Sequence, residues 1–379
     1  MSVNLIGGRT LLPDDGIVLA DIYTTDTLIG QSNSDGRQFD ASGLIVLPGI
    51  VDLHGDAFER QVQPRPGVDF PMNLAVTETE AQLLANGITT AFHGVTLSWE
   101  PGLRSARAFS ALLAALAANR PSQLCDMRVH LRWEAFNLEA LDMALAAIAE
   151  GEVHLLAFND HTPSILRKMA DPITGAKYSD RAGMSLEDFR TLATGVAARA
   201  AEVPAAADRI AAAARAKGIP MASHDDVSPE SRATFRAEGA RISDFPMNEP
   251  TARAATEAGD WVVMGSPNVV RGGSHMGWAS AASMVEAGLC QILTSDYFYP
   301  ALLRAAFILG EREGGLARSW DLISANPAAA AGLHDRGRIE PGRRADLVVV
   351  AESPQPHVVA TIAGGRIAYL SAEGASRLH

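Results

Sequence analysis

The chain has 379 residues, of which 47% are hydrophobic and 20% are charged, and its formal net charge at pH 7 is −12. This composition is typical of a globular protein with one large domain or two unequal ones. The negative charge and the absence of a Lys/Arg run exclude a sequence-independent attraction to nucleic acid or to an anionic membrane. An anionic small-molecule substrate therefore has to be held by local cations.

The sequence predicts neither export nor insertion into a membrane. Residues 1–16 contain no basic region followed by an apolar run, and no later segment reaches transmembrane length without charges. The two cysteines, Cys125 and Cys290, are far apart and match neither a CxxC pattern nor a secreted disulfide framework. We therefore expect buried thiols and a cytoplasmic protein.

Both ends of the sequence are typical of short β-strands. Residues 4–31 alternate apolar segments with Asp- and Gly-containing turns, and the segments RADLVVVA, HVVATIAGG and RIAYL do the same near the C-terminus. The two ends are predicted to share one small β-sandwich, formed by residues 1–48 and 337–379. Residues 49–336 between them form the main domain.

Apolar strand-like segments alternate with Ala-rich helical segments in this middle region, which predicts an α/β fold of parallel βα units. Eight such strands within about 285 residues fit a (β/α)8 TIM-type barrel. An open doubly wound sheet is the alternative, but no GxGxxG follows the first strand. The eight predicted strands are LPGIVDLH (47–54), GITTAFHG (87–94), MRVHLRWE (127–134), EVHLLAFND (152–160), IPMASH (219–224), ARISDFP (240–246), DWVVMGS (260–266) and LCQILTSD (289–296).

Metal-ligand side chains end several of these strands, where a barrel of this type carries its active site. His54 and Asp56 are two residues apart, so they point to the same side of an extended chain, and Gly55 keeps the intervening position slim. Each residue alone would as readily be a loop residue or a helix cap. Together, imidazoles and carboxylates at five of eight strand ends predict a centre for Zn, Mn or Fe as divalent ions. The predicted ligands are His54, Asp56, Glu134, His161, His224 and Asp296.

Two of these carboxylates have further predicted roles. Asp296, after the eighth strand, is the best candidate for the general base, because it can contact a metal and also accept a proton from an activated water. Glu134 is either the bridge between two metals or the ion-pair partner of Arg132.

A glycine-rich cluster follows the seventh strand and resembles a phosphate-binding loop. Arg271 can bind phosphate oxygens bidentately, and the adjacent Gly-Gly allows close approach of the backbone. Arg60, shortly after the first strand, is a candidate for additional positive charge at the same mouth of the barrel. Alternatively, it pairs with acidic residues at the surface. A flexible loop with an incidental arginine is the alternative for the cluster. Its predicted substrate-binding residues are Asn268, Arg271, Gly272, Gly273, Ser274 and His275.

The assembled motifs resemble the amidohydrolase superfamily, in LPGIVDLHGD, in TSD and in SANPAAAAGLHDRGRIEPGRRADLVVV. Within it, HGD, HLRWE, NDHTP, ASHDD, PNVVRGGSH and LTSDYFYP are similar to the PhnM family of phosphonate-metabolism proteins. The resemblance implies a binuclear metal hydrolase, with zinc the expected metal, that removes pyrophosphate from α-D-ribose 1-methylphosphonate 5-triphosphate and leaves the 5-phosphate.

Three features depart from the superfamily pattern that the resemblance implies. Asp56 stands where the usual HxH motif has its second histidine, which leaves the metal open. The fourth strand carries no lysine for a carboxylated bridge, so Glu134 on the third strand is the expected substitute. His161 and His224 follow the fourth and fifth strands, one strand earlier than in many relatives, so either the strand count has slipped or the site differs.

Two other functions remain open from the sequence. Hydrolysis of a C–N bond in a cyclic or N-acyl amide is the commoner chemistry of the superfamily. A non-catalytic barrel scaffold is the third hypothesis, against which the full ligand set argues. Barrels of this type commonly self-associate, so a homo-oligomer is an open expectation.

Overall fold

The computed structural model describes residues 2–32, 35–65, 67–273, 280–312 and 314–379, and within these ranges the chain forms three sheets. Seven strands precede the barrel. They are β1 (Val3–Ile6), β2 (Arg9–Leu12), β3 (Gly16–Leu19), β4 (Ile22–Thr25), β5 (Leu28–Ile29), β6 (Arg37–Asp40) and β7 (Ile45–Pro48).

The predicted eight parallel strands are confirmed. They pair in chain order as one sheet, so the α/β barrel fold expected from the alternating pattern is correct. They are β8 (Ile50–Gly55), β9 (Ile88–Leu97), β10 (Asp126–Glu134), β11 (Leu155–Asn159), β12 (Met221–His224), β13 (Ile242–Asp244), β14 (Trp261–Gly265) and β15 (Ile292–Thr294).

The two ends of the chain share a six-stranded sheet, in agreement with the prediction that they form one unit. Three strands follow the barrel, β16 (Leu347–Ala351), β17 (His357–Ala363) and β18 (Arg366–Leu370). The six-stranded sheet has the order β18-β17-β16-β7-β2-β3, with β7 and β16 antiparallel, and a four-stranded sheet has the order β5-β4-β1-β6. Side chains from both termini form one apolar core, including Val46 and Val349. The boundaries at residues 48 and 337 stay a prediction.

Helices surround the barrel, and none that the structure describes is long and apolar enough to cross a membrane. Single-turn 3-10 helices cover Leu138–Ala140 and Ala200–Glu202. The α-helices are α1 (Glu59–Val62), α2 (Met72–Ala85), α3 (Ala106–Asn119), α4 (Leu141–Glu150), α5 (Thr162–Lys168), α6 (Pro172–Ala182), α7 (Leu186–Ala197), α8 (Val203–Ala216), α9 (Pro229–Ala237), α10 (Glu249–Glu257), α11 (Ser266–Arg271), α12 (Ala281–Glu286), α13 (Ala301–Gly310), α14 (Gly315–Asp321), α15 (Ala325–Ala330) and α16 (Ala372–Ser376).

An apolar layer fills the barrel interior and leaves its carboxyl end to polar residues. Successive side chains along a strand point to opposite faces, so on β11 Leu155 and Ala157 face the interior while Leu156 and Phe158 pack against the helices. The next inward position on β11 is Asn159, at the carboxyl end. Because the eight strands are parallel, their last residues lie together at one mouth of the barrel, which is where metal-ligand side chains were predicted.

A β-bulge at the end of β8 turns His54 into the barrel. Between Asp52 and Gly55 the register of β8 against β9 shifts by one, so two residues of β8 stand opposite one residue of β9. Leu53 packs in the interior apolar layer, and the ring of His54 lies 5.1 Å from the ring of His130. Consecutive residues of β8 thus both face the interior.

Candidate metal centre

The barrel closes at the residues predicted to carry its chemistry. Gly55 and Asp296 form a parallel bridge between the first and last strands of the barrel. The N–H of Asp296 donates to the carbonyl of His54, and the N–H of Asp56 donates to the carbonyl of Asp296, each at 2.9 Å. Asp296 has φ +55°, a left-handed conformation that aspartate tolerates better than most residues. Backbone bonds therefore hold these segments side by side.

The neighbours of Gly55 leave no room for a side chain at this position, which agrees with the slim residue expected between His54 and Asp56. A Cβ at this position would lie 2.8 Å from Oδ2 of Asp52 and 2.8 Å from Oγ of Ser295. These two atoms are joined by a hydrogen bond of 2.5 Å, which ties β8 to the end of β15. A side chain at residue 55 would separate them.

Asp244, the last residue of β13, orients two histidines. Its Oδ2 accepts hydrogen bonds from Nδ1 of His54 at 2.7 Å and from Nδ1 of His224 at 2.8 Å. All three side chains are buried. Burial opposes ionisation, but the two imidazoles hold the pKa of Asp244 well below its usual value. Because a carboxylate only accepts, each Nδ1 carries the proton and each Nε2 keeps its lone pair for a ligand.

A second group is built on the neighbouring strand ends. Nδ1 of His161 lies 3.1 Å from Oε1 of Glu134, whose carboxylate also accepts the N–H of His161 at 3.0 Å. Oδ2 of Asp225 lies 3.6 Å from Nε2 of both His161 and His224. Burial disfavours a charged imidazole, but hydrogen bonds to Asp225 and Glu134 outweigh it and raise the pKa of His161 to about 9.

Arg132 lies inside this centre and does not take the position that the sequence suggested. Its Nη2 lies 2.7 Å from Nε2 of His224, and its Nη1 lies 3.9 Å from the carboxylate of Asp56. Glu134 makes its ion pair with His161 instead. The predicted ion pair between Glu134 and Arg132 is therefore not formed, and the bridging role of Glu134 stays a prediction.

The donor set fits divalent metal ions. Two triples of ligand atoms each lie within 4.8 Å of one another in the described part of the chain, His54 with His130 and Asp244, and His161 with His224 and Asp225. Mixed imidazole and carboxylate ligands suit Zn, Mn or Fe. Three buried groups here also have atoms without a hydrogen-bond partner among the described residues: Nε2 of His130, Oδ1 of Asp244 and the side-chain amide of Asn159. Buried polar atoms without partners are rare, and a bound ion or its water would satisfy them.

Of the six predicted ligands, His54, His161 and His224 belong to the two triples. Asp56, Glu134 and Asp296 border them through the contacts above. Sequence reasoning missed three members, and each had a signal. His130 has the same strand parity as Glu134, and Asp225 directly follows His224. Asp244 lies near the end of the predicted sixth strand, residues 240–246.

The proton affinity of Asp296 is tuned by its surroundings. Burial raises the pKa of Asp296 to about 7, while the charge of His54 opposes this shift and that of Asp56 adds to it. Near neutral pH, such a carboxyl group is present in both protonation states. That is the property a general acid–base group needs.

The comparisons with known proteins agree with this fold. A model described as "Amidohydrolase family" matches residues 70–369. The chain belongs to the amidohydrolase family. This amidohydrolase is 32% identical over 320 residues to alpha-D-ribose 1-methylphosphonate 5-triphosphate diphosphatase of Escherichia coli (strain K12), covering 82% of this chain and 84% of the relative.

Solved structures show the same fold at low identity. An amidohydrolase from an environmental sample of the Sargasso Sea superposes with a TM-score of 0.66 at 16% identity, covering 98% of this chain and 93% of that one. N-acetylglucosamine-6-phosphate deacetylase from Pasteurella multocida gives 0.64 at 10% identity, covering 97% and 99%. Because the eight-strand count of this amidohydrolase is confirmed, His161 does follow the fourth barrel strand, and His224 ends the fifth.

The predicted phosphate-binding cluster takes a different local structure. Residues Ser266–Arg271 form helix α11, and Gly272, at φ +78°, ends that helix. Nη1 of Arg271 lies 3.4 Å from the hydroxyl of Tyr297, and the guanidinium of Arg60 lies 5.8 Å from the centre of the same ring. Arg271 and Arg60 thus contact the same tyrosine, which directly follows Asp296 in the chain.

The other members of the cluster have separate positions. Oδ1 of Asn268 accepts the N–H of Ala281 at 3.0 Å. Gly273 closes the helix end, its N–H donating to the carbonyl of Asn268. Ser274 and His275 lie outside the described residues. Substrate binding by these residues stays a prediction.

Metal binding by this amidohydrolase is expected to release protons. His161, with a pKa of about 9, is protonated in the metal-free protein at pH 7.5 and must lose its proton to become a ligand. We expect apparent zinc affinity to rise by about tenfold per pH unit below pH 9 and to level off above it. Titration calorimetry in buffers of different ionisation enthalpy measures the protons released. In His161→Gln this slope should disappear, and an equal slope in both proteins would show that another group titrates.

Proposed function

We propose that this amidohydrolase hydrolyses the 5-triphosphate of α-D-ribose 1-methylphosphonate 5-triphosphate, releasing pyrophosphate and leaving the 5-phosphate. The observation that carries the proposal is the 32% identity to a diphosphatase named for this substrate, over 82% of the chain. The residues at the mouth support it. The guanidinium of Arg132 is a cation in the same cavity as the candidate ligands, which suits a substrate of high negative charge.

The reaction joins a water oxygen to phosphorus and breaks one phosphoanhydride P–O bond, so that pyrophosphate leaves. The two triples would hold divalent ions, which would lower the pKa of a bound water and supply positive charge for the phosphate oxygens. Asp296 accepts the proton that the attacking water loses, and its pKa of about 7 suits both that step and return of the proton to the leaving group. Arg271 and Arg60, on either side of Tyr297, contribute positive charge next to Asp296.

The proposal also includes the metal ions, the binding partners and the cellular compartment of the protein. We expect two divalent ions per chain, zinc before manganese or iron, an anionic small molecule as the substrate, and no nucleic-acid or membrane partner. Cys125 and Cys290 are both buried free thiols, which supports a reducing compartment such as the cytoplasm. Elemental analysis of the purified protein tests the metal count, and less than one tightly held divalent ion per chain would favour the scaffold hypothesis.

Substrate profiling separates the proposed function from hydrolysis of an amide. The metal-loaded protein should release pyrophosphate from the 5-triphosphate and show no turnover of cyclic or N-acyl amides. Turnover of amides without release of pyrophosphate would replace the proposed reaction by C–N hydrolysis. The apo protein, prepared by chelation, is the matched control for both substrate classes.

A further inference from the structure

Arg132 is a buried arginine directed into the cavity of the candidate metal centre. It lies on β10 two residues before Glu134, so both side chains face the barrel interior. Together with Glu134, His161, His224 and Asp225 it lines a cavity of about 140 Å³ at the mouth. Arg132 is only 5% exposed.

The guanidinium of Arg132 has few partners for a buried charge. Its contacts are one imidazole nitrogen, Nε2 of His224 at 2.7 Å, and the carboxylate of Asp56 at 3.9 Å. Its Nε is buried and, like Nε of Arg232, has no hydrogen-bond partner among the described residues. A guanidinium carries five N–H donors, and removing it from water costs several kcal/mol unless partners compensate. The position therefore leaves donors available for a ligand.

Two other arginines show the difference. Arg232, 2% exposed, donates to Oδ2 of Asp260 at 3.0 Å and also to Ser223 and to two backbone carbonyls, so it stabilises the strand–helix packing outside the barrel. Arg128, on the same face of β10 as Arg132, pairs with Asp126 at 2.9 Å near the opposite end of the strand. Both have a carboxylate at contact distance, and Arg132 has its nearest at 3.9 Å.

The Nε2 atom of His224 has one lone pair, so it can either accept a hydrogen bond from Arg132 or bind a metal ion, but not both. If His224 bound a metal ion through Nε2, the Nη2 donors of Arg132 would lose that acceptor and be available in the cavity that both side chains line. A planar guanidinium there matches two oxygens of a phosphoryl group in a bidentate contact. A neutral amide substrate offers no such pair of anionic oxygens.

We propose that Arg132 binds phosphoryl oxygens of the substrate and thereby selects a polyphosphate over a neutral amide, an inference that rests on the proposed function. It assigns the main phosphate contact to β10 inside the barrel. The predicted Arg271 lies at the surface beside Tyr297 and contributes at the periphery.

Pyrophosphate binding to the zinc-loaded protein tests this assignment by titration calorimetry, without any need for turnover. Arg132→Ala should weaken pyrophosphate binding by about 30-fold, and Arg132→Lys, which keeps the charge without the bidentate geometry, by about fivefold. Arg132→Gln, close in size, repeats the test if the alanine variant folds poorly. Arg128→Ala, on the same strand face, should change binding less than about twofold. Zinc content per chain should stay equal in all variants, because Arg132 is not a ligand.

Two results would overturn the assignment. One is pyrophosphate binding by Arg132→Ala and Arg132→Gln within about twofold of the native protein at equal zinc content. The other is a loss of zinc that accounts for the whole loss of binding, which would make Arg132 a support of His224. Failure of the proposed function would be distinguishable. If the native protein binds pyrophosphate through Arg132 but does not hydrolyse the 5-triphosphate, the anion site is correct and the proposed reaction is wrong.

Discussion

Asp296→Asn is expected to lower kcat for release of pyrophosphate by about 10³-fold while zinc content and thermal unfolding change little. The amide has the shape of the carboxylate but cannot take the proton of the attacking water. The backbone bonds that join Asp296 to His54 and Asp56 do not involve its side chain, so barrel closure is retained. Steady-state kinetics with metal analysis on the same preparation measures all three quantities.

The pH profile provides an independent readout of the same residue. With a pKa of about 7, Asp296 is in its basic form above that pH, so the native rate should fall as pH drops below about 7. This acidic limb should be lost from the residual activity of Asp296→Asn. Asp321→Asn is the matched control, because burial raises the pKa of Asp321 as well but it ends helix α14 away from the centre. A variant at residue 296 with near-native kcat would show that another group is the base.

Asp244→Asn is expected to weaken zinc binding by about 10- to 100-fold, although the variant changes only one atom of the side chain. In the native protein a single oxygen accepts from Nδ1 of both His54 and His224. An asparagine presents one weaker acceptor and one donor, so both imidazoles lose the carboxylate that fixes their tautomer and direction. The free energy of unfolding of the metal-free protein should also fall, by about 3 kcal/mol, because a buried charged network is broken. Zinc titration and chemical denaturation measure the two effects.

Asp226→Asn is the control that distinguishes the effect of disturbing the metal centre from the effect of removing any buried carboxylate. Asp226 is also buried, and its Oδ2 accepts from the hydroxyls of Ser223 at 2.5 Å and Ser243 at 3.0 Å. These serines alternate with His224 and Asp244 and so face away from the interior. Asp226→Asn should therefore lower stability and leave zinc affinity near native. Equal zinc affinity in the variants at 244 and 226 would contradict the role given to Asp244.

The fold was predictable because its signals are local. Each barrel strand is a short apolar segment followed by a polar residue and a helix, and that pattern is visible without knowing what the strand contacts. The alternation of apolar residues in 347–370 likewise predicted β16, β17 and β18. The closing bonds between His54, Asp56 and Asp296 join residues about 240 positions apart, and only the predicted barrel brings them together.

The inner part of the centre was harder to predict because it depends on side-chain direction and register. His130 lies in the middle of β10, and its approach to His54 needs the bulge in β8, which the residues HGD do not reveal. An ion pair of Arg132 with Glu134 was one of the two alternatives from the sequence, but the two side chains, on the same face of β10, contact residues at the ends of other strands instead.

The segment after β14 carries two competing sequence signals. Its glycines favour a phosphate-binding loop, which was the prediction. Pro267 at the start and Gly272 at the end are instead the residues that favour the first turn and the termination of a short helix. The ends of α11 follow this pattern, and Arg271 lies in its last turn.

The central claim is that a metal centre in this barrel cleaves a phosphoanhydride bond. ³¹P NMR of α-D-ribose 1-methylphosphonate 5-triphosphate incubated with zinc-loaded protein tests it most directly, since each phosphorus atom has its own resonance. We predict that the three triphosphate signals give way to pyrophosphate and a 5-phosphate, with the methylphosphonate signal retained, and that chelation stops the change. An unchanged triphosphate spectrum with the metal-loaded protein would contradict the claim.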